Sequence, residues 1–469
     1  MKSRPHEGVY ARAREAVGDP QLRDAVWTST QRFLNGRNRA FEQLPQQGSP
    51  MRDLGREIRI RTLKNLDVHL ERFVASCKRN GTQVHFARDA AEAARTICDL
   101  AAGKGLVIKS KSMATEEIHL NEALQKRGIE VVETDLGEWV IQLAGETPAH
   151  IIAPALHKTR EQFAELIGRE VGRTVSTEPE NLVAEARARL RRDFVAGAVG
   201  ISGVNFGVAE TGTLVLVTNE GNGRLVTSGP KLHIALMGIE KLVPTLDEAF
   251  ALLRILPRSA AGQKLTSNTT FISGPRRADE VDGPDEVHVV LLDNGRIDYL
   301  STDRWESLLC IRCGACLNVC PVYKRIGGHA YGSTYQGPIG LLATPMVRPE
   351  DPEAITDLPH ASSLCGACHE ICPVKIDIPR MILSVRAEAV SRGWTGTKER
   401  AVFALAAAVL SRPRLYRVLV RVAGLFSRLL GATHFKALPS FLSGWTSTRD
   451  LPVVAPESFR SWWQSRKGT

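Results

Sequence analysis

No stretch of this 469-residue chain strings together the ~20 apolar residues that a membrane span requires. Its start, Met1-Lys-Ser-Arg-Pro-His-Glu, carries no apolar core of a signal peptide and leads into polar helical sequence. Gly-x-Gly-x-x-Gly and Walker loops are both missing, and Asn219-Glu-Gly-Asn-Gly223 is too irregular to replace either. No flavin or nicotinamide motif is present, so a hydride acceptor is not expected on this chain. Net charge is absent outside the tail: residues 386–469 hold 14 Lys and Arg against 4 Asp and Glu, which accounts for the whole net charge of +10. No nucleic-acid partner is expected. Cysteine is also sparse. Of nine, Cys77 and Cys98 fall on helical stretches and are expected to be buried apolar side chains. Clustering of the other seven at ligand spacing favours metal over disulfides, and the reducing cytoplasm is the expected compartment.

The remaining seven cysteines stand in two runs. Cys310-Ile-Arg-Cys313-Gly-Ala-Cys316-Leu-Asn-Val-Cys320-Pro321 has the spacing of a bacterial ferredoxin, and Cys365-Gly-Ala-Cys368-His-Glu-Ile-Cys372-Pro373 is a shorter echo. Structural zinc pairs two Cys-x2-Cys knuckles and suits this pattern poorly. Two iron–sulfur clusters are expected, most simply of the 4Fe-4S type. In two-cluster ferredoxins the fourth cysteine of each run ligates the other cluster. Carried over, Cys310, Cys313, Cys316 and Cys372 hold the first cluster, and Cys320, Cys365 and Cys368 the second. The second lacks a ligand, because Ser362 stands where a complete run would place cysteine. A three-iron cluster, a fourth iron held by Ser362 or another oxygen or nitrogen group, and a labile fourth iron all stay open. His360 and His369 are nearby candidates.

Residues 1–75 read as a helical arm, with apolar residues at three- and four-residue intervals broken by Gly-Asp-Pro at 18–20. Residues 76–300 alternate short apolar runs with helices, the pattern of a doubly wound α/β domain. Strands are expected at 84–86, 106–108, 130–132, 151–153, 204–209, 213–218, 232–237 and 287–292, and helices at 90–101 and 115–127. Two polar loops are candidate ligand sites: Lys109-Ser110-Lys111-Ser112, which links a strand to a helix where anions bind, and Glu210-Thr-Gly-Thr213. Residues 301–385 form the helical, ferredoxin-like cluster domain. Its glycine-rich connector, 327–340, is either an ordered link or a shield for the clusters. Residues 386–469 form a basic helical domain, in which Leu415–Leu430 places Arg417, Arg421 and Arg428 along one side. Such a helix can dock an acidic partner or lie peripherally on the inner face of the membrane. Trp462-Trp463 near the end is expected to pack or anchor.

Taken together, the Lys109-Ser-Lys-Ser-Met113 loop, Glu210-Thr-Gly-Thr213, Ser273-Gly-Pro with Asp282-Gly-Pro, the 310–320 run, Gly327-Gly-His-Ala-Tyr-Gly and the three-cysteine second run resemble the lactate utilisation protein B family. The resemblance covers nearly the whole length. It implies a LUD domain with a fold like ribose-5-phosphate isomerase and CoA transferases. It implies the iron–sulfur relay of an oxidoreductase complex, not sufficient alone, that converts L-lactate to pyruvate. The implied partners are a second iron–sulfur subunit with cysteine-rich repeats and a smaller LUD-domain subunit. The alternatives are a relay for another 2-hydroxy acid and a non-catalytic iron–sulfur scaffold or sensor.

Overall fold

The β-branched runs of the middle segment pair into a parallel sheet. In the computed structural model the ten strands of the α/β region are β1 (Gln83–Ala87), β2 (Val107–Lys109), β3 (Val131–Glu133), β4 (Val199–Gly203), β5 (Phe206–Val208), β6 (Thr213–Thr218), β7 (Leu232–Gly238), β8 (Leu242–Val243), β9 (Asn268–Ile272) and β10 (Glu286–Leu292). Six of them form an all-parallel sheet in the order β1-β10-β7-β4-β2-β3. The other four form a second sheet, β8-β5-β6-β9, which is antiparallel except between β5 and β8. Residues 8–44, 49–430, 434–435, 446, 450–455 and 457–466 are described. The Met1–Glu7 segment, part of the tail and the Arg428 side chain lie outside them.

Side chains of a strand alternate between sheet faces, so each central strand supplies two cores. Leu232, Ile234 and Leu236 of β7 join Val290 and Leu292 of β10 against the Ala90–Ala101 helix. Ala235 and Met237, with Val289 and Leu291, face the other way onto Phe73, Cys77 and the second sheet. Cys77 and Cys98 are both buried in these cores.

Several expectations shift. Of the strand expected at 204–209, residues 206–208 form β5, and 204–205 are the corner that joins it to β4. Strands β4, β8 and the half-exposed β9 were not anticipated. The helix expected at 115–127 breaks into Met113–Glu117 and Leu120–Lys126 at His119, whose φ is +50°. Ile151-Ile-Ala153 is not a strand: His150 Nδ1 accepts the Ile152 and Ala153 amides at 3.1 and 3.3 Å, so these donors are unavailable to a sheet.

The N-terminal region forms four helices, Val9–Gly18, Pro20–Glu42, Ser49–Lys64 and Leu66–Arg79. Asp19 separates the first two and accepts the Leu22 amide at 2.9 Å, while Pro20 occupies a helical position that needs no donor. Inter-residue contacts divide the chain into two units, the first ending at Arg392 and the second starting at Gly393. The first unit holds the N-terminal helices, the α/β region and both cysteine runs. In the second, helix Thr397–Leu410 packs on helix Pro413–Leu430. The latter exposes Leu415, Leu419, Val422 and Phe426 along one side. No described helix is long and apolar enough to cross a membrane.

Candidate functional site

Each cysteine run winds through left-handed backbone before a one-turn helix. Arg312 and Gly314 have φ of 59° and 74°, and Leu364 and Gly366 have 55° and 84°. A side chain beyond glycine seldom adopts this region, so Arg312 and Leu364 are held there by their surroundings. The helices that follow, Ala315–Val319 and Ala367–Ile371, pack against each other and bring the runs together. Cys310, Cys313, Cys316 and Cys372 line one apolar cavity with Ile151, Ile339 and Val374. Burial raises the thiols of Cys320 and Cys368, and the nearby Cys365 adds to both shifts.

The donor set fits iron–sulfur clusters. Burial, then the neighbouring sulfurs, pushes the thiols of Cys368 and Cys372 up to about 12 and 11, with Cys313 and Cys316 also raised. Such sulfurs become thiolates only against a strongly positive core. Backbone donors suited to thiolate are in place: Arg312 N reaches Cys310 Sγ at 3.3 Å and Tyr323 N reaches Cys320 Sγ at 3.5 Å. The guanidinium of Arg52 donates to the Cys372 carbonyl at 2.7 and 3.0 Å and adds positive charge nearby.

Next to the first cavity lies a much larger one, of about 560 Å³, at the carboxyl edge of the parallel sheet. Ligands of open α/β sheets bind at this edge. Ser110, Lys111 and Ser112 follow β2, Asp135 follows β3, Asn205 follows β4, and Glu240 and Lys241 follow β7. Burial lowers the ammonium pKa of Lys111, and that of Lys241 to about 8. Ile151 lines both cavities, and Arg312, from within the first cysteine run, lines the larger one. The Arg312 guanidinium lies 4.4 Å from the centroid of the Tyr335 ring. Below it, Arg296 donates to both oxygens of Glu117 at 2.9 and 2.8 Å and to Glu240 at 2.5 Å. Burial would raise the Glu240 carboxyl, but Arg296, Lys241 and Arg312 hold it at about 2.

Three family models match the chain in succession: LUD domain over residues 70–292, 4Fe-4S dicluster domain over 306–376, and Lactate utilisation protein B, C-terminal, over 391–468. Lactate utilization protein B of Oceanobacillus iheyensis is 43% identical over 456 residues, covering 96% of this chain and 95% of the relative. The same-named protein of Anoxybacillus flavithermus is 43% identical, with 97% of each covered. The chain belongs to the lactate utilization protein B family. An Escherichia coli relative, named an uncharacterized electron transport protein, is 41% identical over 97% of this chain and 96% of its own.

In this family member the predicted ligand residues separate. Ser110, Lys111 and Ser112 line the large cavity, but Lys109 does not. Its ammonium is buried among Glu133 at 2.6 Å, Thr115 at 2.8 Å and Glu116 at 3.0 Å. Glu210 and Thr213 lie at the β5–β6 turn, outside the cavity. Glu210 accepts the Leu246 amide at 3.2 Å, and Thr213 pairs with Ser273 at 3.1 Å. Asn219, Glu220 and Asn222, from the irregular Asn-Glu-Gly-Asn-Gly segment, do line it. Lys241, Arg296, Arg312 and Tyr335 escaped the sequence reading, since each lies far along the chain from the Lys-Ser loop. The 327–340 connector is ordered and tied to the α/β region: His329 meets the Thr147 carbonyl at 2.7 Å, and Gln336 donates to the Pro148 carbonyl at 3.0 Å.

Proposed function

We propose that this chain is the iron–sulfur electron-transfer subunit of a complex that oxidises L-lactate to pyruvate. Cys310, Cys313, Cys316 and Cys372 hold one cluster, and Cys320, Cys365 and Cys368 hold the other. The observation that carries the reading is the shared wall: Ile151 lines both the large cavity and the sulfur-lined one, and Arg312, from within the first cysteine run, lines the large one. Oxidation of a 2-hydroxy acid releases two electrons and two protons, and bound clusters supply one-electron acceptors. Lys111 and Lys241 offer positive charge to a carboxylate in a site whose walls are largely apolar, where such pairing is worth more than in water. Ile151, Ile152 and Leu256 contribute apolar wall to the cavity. The partners are a second iron–sulfur subunit and a smaller LUD-domain subunit. The basic, apolar-striped helix Pro413–Leu430 is their docking element or a peripheral contact with anionic lipid.

The test is an anaerobic redox titration of the assembled complex with lactate, followed by EPR. Reduction of both clusters on lactate addition supports the relay. Clusters that stay oxidised while the complex turns over lactate assign a scaffold role instead. Lys111→Ala should raise the lactate concentration needed for half-reduction at least tenfold, about 1.4 kcal/mol. An unchanged titration would remove the cavity from the reading.

A further inference from the structure

The two cysteine runs share one backbone template, position by position. Arg312 and Leu364 hold matching left-handed angles, as do Gly314 and Gly366. Each one-turn helix ends on a cysteine in extended backbone: Cys320 at φ −69°, ψ 122°, and Cys372 at φ −62°, ψ 124°. Cys313 thus corresponds to Cys365, Cys316 to Cys368, and Cys310 to Ser362.

The correspondence extends to the side chain. Arg312 N donates to Cys310 Sγ at 3.3 Å, and Leu364 N donates to Ser362 Oγ at 3.2 Å. The serine oxygen therefore holds, relative to its own loop, the place that the Cys310 sulfur holds in the first. Arg386 fixes the segment from outside, donating to the Pro359 carbonyl at 2.8 Å and the Ser362 carbonyl at 3.1 Å. A hydroxyl has two lone pairs, and the Leu364 amide uses one. Among the described residues no acceptor takes the Ser362 proton. His369 holds Nδ1 at 3.0 Å from the Ile376 carbonyl, which leaves Nε2 as the competing donor that the Ser362 variants below separate from the serine.

We infer that Ser362 Oγ is the eighth ligand, binding the fourth iron of the cluster held by Cys320, Cys365 and Cys368. The inference rests on the ligand division proposed above. Binding forms one iron–oxygen bond and breaks the Oγ–H bond. The proton passes to water, and no iron changes oxidation state. One iron of the second cluster is then held by a hard oxygen donor in otherwise soft surroundings, which sets the two clusters apart.

The test uses the full chain, purified anaerobically and labelled with ⁵⁷Fe. Mössbauer spectra of the unaltered protein should show two four-iron clusters, one with a distinct oxygen-ligated iron. Ser362→Ala should lose roughly one iron per chain and gain the EPR signal of an oxidised three-iron cluster. Ser362→Cys should keep its iron and lose the distinct site. A three-iron cluster already present in the unaltered protein overturns the inference, as does Ser362→Ala with full iron and unchanged spectra. Should Ser362→Ala fail to fold, ENDOR of the unaltered protein in ¹⁷O-water still decides: coupling to exchangeable oxygen identifies water as the ligand and overturns the inference, and its absence supports serine. Loss of cluster signals in Cys320→Ala or Cys372→Ala tests the ligand division separately, so the two failures are distinguishable.

Discussion

The buried Arg296 cluster makes a quantitative demand on the fold. Arg296 and its partners Glu117 and Glu240 are each 2% exposed or less at the side chain. Holding the Glu240 carboxyl near 2, against an ordinary 4.5, corresponds to about 3 kcal/mol of stabilisation of its charged form. Arg296 is the largest favourable contributor, acting against the burial of the carboxylate. Arg296→Met keeps much of the volume but strands two carboxylates in the interior. Glu117 retains Asn294 at 2.8 Å and the Tyr335 hydroxyl, and Glu240 retains Arg312 at 3.9 Å. The expected cost is about 3–5 kcal/mol, the usual penalty for breaking a buried ion pair from one side. Pulse proteolysis in urea under anaerobic conditions measures it. Glu240→Gln in the Arg296→Met background should recover more than ~1 kcal/mol, because the double variant removes one stranded charge. The sign with pH also follows. The depressed Glu240 carboxyl contributes fully above its unfolded value of 4.5, and the contribution fades only as pH falls toward 2. In Arg296→Met, burial raises the stranded carboxyls, so the deficit should be largest near neutral pH and shrink as pH falls and they take up protons. A cost below ~1 kcal/mol, or strictly additive variants, would refute this account of the cluster.

Two further outcomes follow from the site. Burial lowers the Lys111 and Lys241 ammonium groups, Lys241 to about 8 with Arg312 and Arg59 reinforcing the shift and Glu240 opposing it. Calorimetric binding of lactate should therefore weaken by roughly tenfold as pH rises from about 6 to about 9, while constant affinity would rule out these lysines as its anchor. Cys372→Ala should erase the EPR signature of the first cluster and Cys320→Ala that of the second, although each residue lies in the opposite run. Loss confined to the cluster of its own run would reverse the assignment.

Where sequence reading succeeded, the signal was local. Cysteine spacing is a property of a dozen consecutive residues, and it survives whatever the rest of the chain does. Most of the parallel sheet was legible for the same reason, since β1, β2, β3, β7 and β10 each fall in a short apolar run, while β4, with two glycines in five residues, was missed. The ligand loop was half legible. Lys109 and Lys111 look equivalent in sequence, but Lys109 ends β2 opposite Glu133, the last residue of β3, and is neutralised there. The parallel endings Val-Ile-Lys and Val-Val-Glu hinted at that pairing, yet the register is a long-range fact. Ile151-Ile-Ala153 misled because burial and strand were taken as one signal. Ile151 is buried against the cysteine run, and His150 takes the next two amides. Arg312 was the hardest to see, because its position between two cysteines made it look like a spacer.

The burial of the two cysteine groups differs in a way that bears on direction. Cys313, Cys316 and Cys372 are buried and Cys310 is partly so, with the α/β region and the Ser49–Lys64 helix packed around them. Arg59 of that helix is itself fully buried and donates to the Leu308 and Leu309 carbonyls just before Cys310. Cys365 is exposed, as are its neighbours Ser363 and His369. On the proposed reading, the protected cluster adjoins the cavity and the other reaches the surface beside Cys365. A buried site can hold a carboxylate away from water, while an exposed one offers a short path to an external acceptor. A relay whose entrance is enclosed and whose exit is open needs a partner only at the second end. The docking of an electron-accepting subunit should therefore protect the 362–370 surface from hydrogen exchange, leaving the cavity wall at 110–112 unaffected.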